Sequence, residues 1–84
     1  MTTTETALIV GVGTGLSASL ARLFARQGMS VALAARDADK LAALADETGA
    51  RAYACDVVRA DDVDGLFGAV TSDLGAPDVV VYNP

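Results

Sequence analysis

Residues 7–17 read Ala7-Leu8-Ile9-Val10-Gly11-Val12-Gly13-Thr14-Gly15-Leu16-Ser17, a short unbroken apolar run that passes straight into a glycine-rich turn. Continuous apolarity, as opposed to alternation, marks a strand buried on both faces, as in a parallel sheet. Beyond the turn the period changes. Leu16, Leu20, Leu23 and Phe24 recur at helical spacing with alanines between them, and Gly28 after Arg26-Gln27 supplies a C-terminal stop. Strand, glycine turn and helix in this order open a βαβ unit.

The alternation continues along the chain. Val31 to Ala35 is a second apolar strand. Asp37 is placed to cap a helix that carries Leu41 and Leu44 inward and ends at Gly49. Arg51 to Cys55 forms a third strand. Asp61 or Asp62 then caps a helix with Val63, Leu66, Phe67, Val70 and Leu74 on one stripe. Gly75-Ala76-Pro77-Asp78 is a turn, and Val79 to Tyr82 a fourth strand. The order βαβαβαβ predicts an α/β fold: a Rossmann-type, doubly wound parallel sheet with right-handed crossovers and strand order 3-2-1-4. No repeat, low-complexity tract or linker divides residues 1–84, which read as part of one nucleotide-binding domain. Val79 to Tyr82 would leave an apolar edge unpaired. The sequence therefore reads as the N-terminal part of a longer domain. The other reading is a complete mini-domain that pairs its open edge in a homodimer.

Bulk properties exclude several functions. Six basic against eleven acidic residues give a net charge of −5, and the five arginines and Lys40 form no stripe, which argues against a nucleic-acid partner. Histidine is absent and Cys55 is the only cysteine, so neither a zinc site nor a disulfide framework can be assembled. A lone thiol fits a reducing, cytoplasmic compartment. Met1 to Glu5 has no basic n-region, and the uncharged stretch from Thr6 to Ala21 is too short and too interrupted by glycine and serine to span a membrane.

The glycine turn does not match G-x-G-x-x-G literally: counting from Gly11 the sixth position is Leu16, and from Gly13 it is Ala18. It fits G-x-x-x-G-x-S through Gly11, Gly15 and Ser17. The physics is that of a dinucleotide-binding turn. Gly11 lets the chain leave the strand sharply, and Gly15 lets backbone approach a pyrophosphate with no Cβ in the way. Amides near Leu16 point their donors at the anion, and Ser17 stands where a small residue lets helix and sheet pack closely. A tight βα loop with no ligand uses the same glycines, so the context of a first strand inside a βαβ unit carries the reading. A Walker A loop is excluded, because Gly-Lys-Ser/Thr occurs nowhere.

At the end of the second strand, about 20 residues past the turn, an NAD site presents Asp or Glu to the ribose hydroxyls. That position is Ala35. Arg36 follows it and can pair with a 2′-phosphate, so NADP is favoured over NAD, and FAD is disfavoured for the same lack of an acid. A solvated arginine at a strand end is the plainer alternative, and Lys40 reads as surface. Asp56-Val57 follows the third strand at the carboxyl edge, where Asp56 either accepts from an adenine amino group or forms a turn. Asn83 ends the fourth strand and either faces the same crevice or makes a turn. Cys55 reads as a buried, unreactive thiol beside Asp56.

Taken together, these features resemble the short-chain dehydrogenase/reductase family. The resemblance runs from Thr6 to Pro84 and corresponds to that family's N-terminal cofactor-binding half. Gly11 to Ser17 is similar to its glycine motif, with Ser17 in place of the last glycine. Ala35-Arg36 is similar to its NADP-type strand ending and Cys55-Asp56-Val57 to its adenine-contacting pair. Tyr82-Asn83-Pro84 resembles the start of its Asn-Ala-Gly motif, with Pro84 where alanine is usual. The Gly-x5-Ser frame is also similar to the enoyl-reductase branch, against which Gly15 and Arg36 stand.

The resemblance implies that Gly11, Gly13, Thr14, Gly15 and Leu16 surround the phosphates and ribose. Arg36 then takes the 2′-phosphate, Asp56 and Val57 the adenine, and Asn83 the ribose side of the nicotinamide half. It also implies an oxidoreductase acting on a small carbonyl or alcohol substrate, assembled as a dimer or tetramer. The family's chemistry needs a Tyr and a Lys four residues apart with a Ser upstream. The only lysine is Lys40, preceded four residues earlier by Arg36, and neither Tyr53 nor Tyr82 has a lysine downstream. No catalytic residue is therefore assigned within the chain, and the triad is expected beyond residue 84. Two other classes fit the same residues: a non-catalytic NADP-binding or sensor protein, and a structural half-domain that binds nothing.

Overall fold

A computed structural model describes residues 5–11 and 15–83. The elements in order are β1 (Thr6–Val10), α1 (Leu16–Arg26), β2 (Ser30–Ala35), a 3-10 turn (Ala38–Leu41), α2 (Ala42–Thr48), β3 (Arg51–Ala54), α3 (Ala60–Asp73) and β4 (Val79–Tyr82). The four strands form one parallel sheet in the order β3-β2-β1-β4, as the alternation predicts. Thr6 pairs with Ser30 and Val10 with Ala34, while Ala7 pairs with Val79 and Val10 with Tyr82, so β1 lies at the centre in register with both neighbours.

The apolar runs behave as a parallel sheet requires. Every residue of β1 is buried, as are Val31 to Ala34 of β2. One face packs Leu8, Val10, Ala32 and Ala34 against Leu66 and Val70 of α3, with Cys55 at its margin. The other packs Ile9, Val31 and Leu33 against Ala21 of α1 and Leu41. The outer strands are more open, with Val80 48% and Tyr82 62% exposed.

Three sequence expectations need correction. The buried face of α1 is Ser17, Ala18 and Ala21, whereas Leu16 is 67% and Leu23 39% exposed. Small side chains bring the helix close to the sheet, Leu20 and Phe24 pack half-buried against the same core, and Leu16 and Leu23 lie outside it. Neither Asp61 nor Asp62 caps α3. The N-cap is Arg59, without a side-chain cap bond, and both aspartates sit in the first turn, where their charge complements the helix dipole. Phe67, placed on the inner stripe by its spacing, is 37% exposed, so Leu66 and Val70 anchor the helix. Asp37 does cap, accepting from the Asp39 amide at 3.2 Å, but the segment it caps is a 3-10 turn leading into α2.

The amino end of the sheet is closed by hydrogen bonds. The Thr6 amide donates to Asp78 Oδ2 at 2.8 Å, its hydroxyl to the Leu74 carbonyl at 3.1 Å, and the Asp78 amide returns to the Thr6 carbonyl at 2.8 Å. The candidate site residues gather at the opposite, carboxyl end of the sheet.

Candidate functional site

Four parallel strands place their carboxyl ends along one edge of the sheet. The residues next in sequence are Gly11 after β1, Arg36 after β2, Cys55-Asp56-Val57 after β3 and Asn83 after β4. In open α/β sheets this edge, at the point where strand order reverses on either side of β1, is where ligands bind.

Gly11 leaves β1 with φ 83°, and its amide still donates to the Ala34 carbonyl at 2.9 Å, so the chain turns away within one residue of the ladder. Gly13 and Thr14 lie outside the described residues. Gly15 is the N-cap of α1 at φ 74° and ψ −123°, backbone that side-chain-bearing residues rarely adopt. A Cβ built there would meet no atom of the described residues within 4 Å, so the backbone conformation itself demands glycine. Among the described residues no side chain caps the helix, and its first turn holds no acid. Amide donors with a positive helix end and no internal anion fit a pyrophosphate. Leu16 is exposed at the helix start.

Arg36 is exposed, and no described residue forms an ion pair with it. Its charge is thus available to an external anion. This contrasts with Arg22, whose guanidinium holds both oxygens of Glu47 at 2.6 and 3.3 Å and ties α1 to α2. That pairing raises the Arg22 pKa and lowers that of Glu47.

The β3 end is built as a turn. Asp56 Oδ1 accepts from the Val58 amide at 3.2 Å, its carbonyl accepts from Arg59 at 3.0 Å, and its own amide donates to Asp62 Oδ2 at 3.1 Å. The turn-forming reading of Asp56 is therefore realised, and its half-buried carboxylate has one oxygen engaged in shaping the loop. Val57 packs partly against the α3-side core. Cys55 is buried, and burial first, then the negative charges of Asp62 and Asp56, push its thiol pKa up, so it is a weak nucleophile. Tyr53 donates its hydroxyl to Asp73 at 2.8 Å, linking β3 to α3. Burial and that carboxylate raise its pKa.

Asn83 continues the ladder, its amide donating to the Val10 carbonyl at 2.9 Å. Its side chain does something the sequence did not reveal: Nδ2 donates to Ser17 Oγ at 3.2 Å. Ser17 is 1% exposed, and a buried hydroxyl left unpaired costs about 1–3 kcal/mol, so the bond accounts for a polar group inside the helix–sheet contact. The available signal was a hydroxyl at a position where packing alone is met by glycine or alanine.

Among the described residues no helix is long and apolar enough to cross a membrane. A family model described as "Enoyl-(Acyl carrier protein) reductase" matches residues 11–84. Oxidoreductase UcpA of Salmonella typhimurium is 42% identical over 86 residues, covering 96% of this chain and 32% of its own length. A metagenomic short-chain oxidoreductase solved in complex with NADP is 31% identical with a TM-score of 0.84, covering 90% of this chain and 37% of that one. The 3-ketoacyl-(acyl-carrier-protein) reductase of Brucella melitensis, complexed with NADH, is 33% identical with a TM-score of 0.83, covering 90% and 32%. The chain spans between 6% and 35% of the length of the curated relatives it matches. The family model's description names the enoyl-reductase branch that Gly15 and Arg36 weigh against, whereas the Brucella enzyme is a ketoacyl reductase. The matches thus agree on ancestry and differ on reaction.

Proposed function

The chain belongs to the short-chain dehydrogenase/reductase family, and from that membership we propose that residues 1–84 form the NADP-binding part of an oxidoreductase acting on a carbonyl or alcohol substrate. The observation that carries the proposal is the alignment of Gly11, Arg36, Asp56-Val57 and Asn83 after the carboxyl ends of four parallel strands, beside a helix N-terminus that no described side chain caps.

In this reading the turn from Gly11 through Gly13, Thr14 and Gly15 to Leu16 holds the pyrophosphate with backbone donors and the helix end. Arg36, exposed and without an ion-pair partner among the described residues, pairs with the 2′-phosphate, and Ala35 before it places no acid there to repel that group. The loop of Asp56 and Val57 flanks the adenine, and Asn83 lies toward the second ribose. The bound nicotinamide supplies the hydride acceptor or donor. Proton transfer is assigned outside residues 1–84, because Tyr53 is committed to Asp73 and Lys40 has no tyrosine four residues before it. We further assign the protein to the cytoplasm as a homo-oligomer, with free, buried Cys55 suited to a reducing compartment.

The test is NADPH oxidation by the full-length protein over a panel of aldehydes, ketones and ketoacyl thioesters. The expected result is turnover that depends on both NADPH and a carbonyl. Saturable NADPH binding with no turnover across the panel would instead assign a non-catalytic nucleotide-binding protein.

A further inference from the structure

Val10 and Ser17 are the two shoulders of the glycine turn, the last residue of β1 and the second of α1. Asn83 touches both: its backbone amide donates to the Val10 carbonyl at 2.9 Å and its side-chain amide to Ser17 Oγ at 3.2 Å. A single residue at the end of β4 therefore bridges the entrance and the exit of the turn. The other fully buried residues of α1 are alanines, Ala18 and Ala21, so close packing does not require a hydroxyl at position 17. Ser17 is 1% exposed, so its hydroxyl meets Asn83 at the buried side of a part-buried bond.

We propose that Ser17 and Asn83 form a latch across the glycine turn, and that Ser17 is thereby a positioning residue for the pyrophosphate site. The proposal rests on the nucleotide-binding reading above and deepens it. Ser17 lies in the first turn of α1, so fixing it fixes where the first amides of the helix aim. Asn83 then influences the phosphate end of the site as well as the nicotinamide end, and the fourth strand is mechanically part of the anion cradle.

ADP separates the two roles, because it carries a pyrophosphate but neither the second ribose nor nicotinamide. Its affinity is measured by calorimetry, alongside NADPH, on full-length wild type, Ser17→Ala, Asn83→Ala and the double variant. Each single change is expected to weaken ADP about three- to tenfold, the worth of one hydrogen bond, with the double variant no weaker than the worse single. Ser17→Cys, nearly the same size but a poorer acceptor, is expected to fall between, and it replaces Ser17→Ala should the alanine variant not fold. Unchanged ADP affinity in the Ser17 variant overturns the latch, as do losses that multiply in the double variant. Weakening of NADPH but not of ADP by Asn83→Ala also overturns it, leaving Asn83 a contact of the nicotinamide half alone. A wild type that binds neither ADP nor NADPH overturns the nucleotide-site reading itself.

Discussion

Arg36 is the residue on which cofactor choice turns. It follows a strand whose last residue is Ala35, it is exposed, and among the described residues it has no carboxylate partner. A charge-assisted contact to phosphate is worth about 1.5–3 kcal/mol, so Arg36→Ala should weaken NADPH about ten- to a hundredfold and leave NADH nearly unchanged. Discrimination that survives the substitution would remove Arg36 from the site. Cys55 carries a second prediction. Its native thiol pKa is raised by burial and by Asp62 and Asp56, while the unfolded value is about 8.5. Above that pH the unfolded chain releases the proton while the native chain keeps it, so stability is complete below about pH 8.5 and declines as pH rises through the native pKa. Tyr53, also shifted upward, adds the same sign from about pH 10. Urea unfolding between pH 7 and 10 should show this decline, and Cys55→Val should flatten it. An equal slope in both proteins would contradict the assignment.

At the scale of elements, the sequence was legible wherever a run of apolar residues had one possible environment. Ala7 to Val10 and Val31 to Ala35 could only be buried strands, and βα alternation then fixed a parallel sheet with β1 at its centre. The helix faces were less legible. Of the helically spaced Leu16, Leu20, Leu23 and Phe24, Leu20 and Phe24 pack against the core, whereas the fully buried positions of α1 are Ser17, Ala18 and Ala21, small enough for the closest approach to the sheet. Asp61 and Asp62 misled for a related reason, since an acid at a helix start serves equally as a cap or as a first-turn charge. The α3 face can be tested by substitution. Leu66→Ala, at a site 4% exposed, should cost about 2–5 kcal/mol by leaving a cavity. Phe67→Ala, on a residue 37% exposed, should cost distinctly less in the same chemical denaturation. Equal losses would place Phe67 in the core after all.

Across the whole molecule, one end of the sheet is sealed through Thr6 and Asp78, and the other gathers the glycine turn, Arg36, Asp56 and Asn83. The strand ends were legible because parallel strands share a carboxyl edge. The bond from Asn83 to Ser17 was not, since its partners lie 66 residues apart and no local pattern joins them. Asp56 was legible only as two alternatives, and its bonds to Val58 and Arg59 realise the turn. The proposed occupant of this edge is a nicotinamide dinucleotide phosphate. Its decisive test is titration of the full-length protein with NADPH, followed by the cofactor's own fluorescence, with NADH titrated in parallel. Saturable binding of one NADPH per chain, tighter than NADH, is the predicted result. Fluorescence that rises linearly with either cofactor, with no saturation, would contradict it.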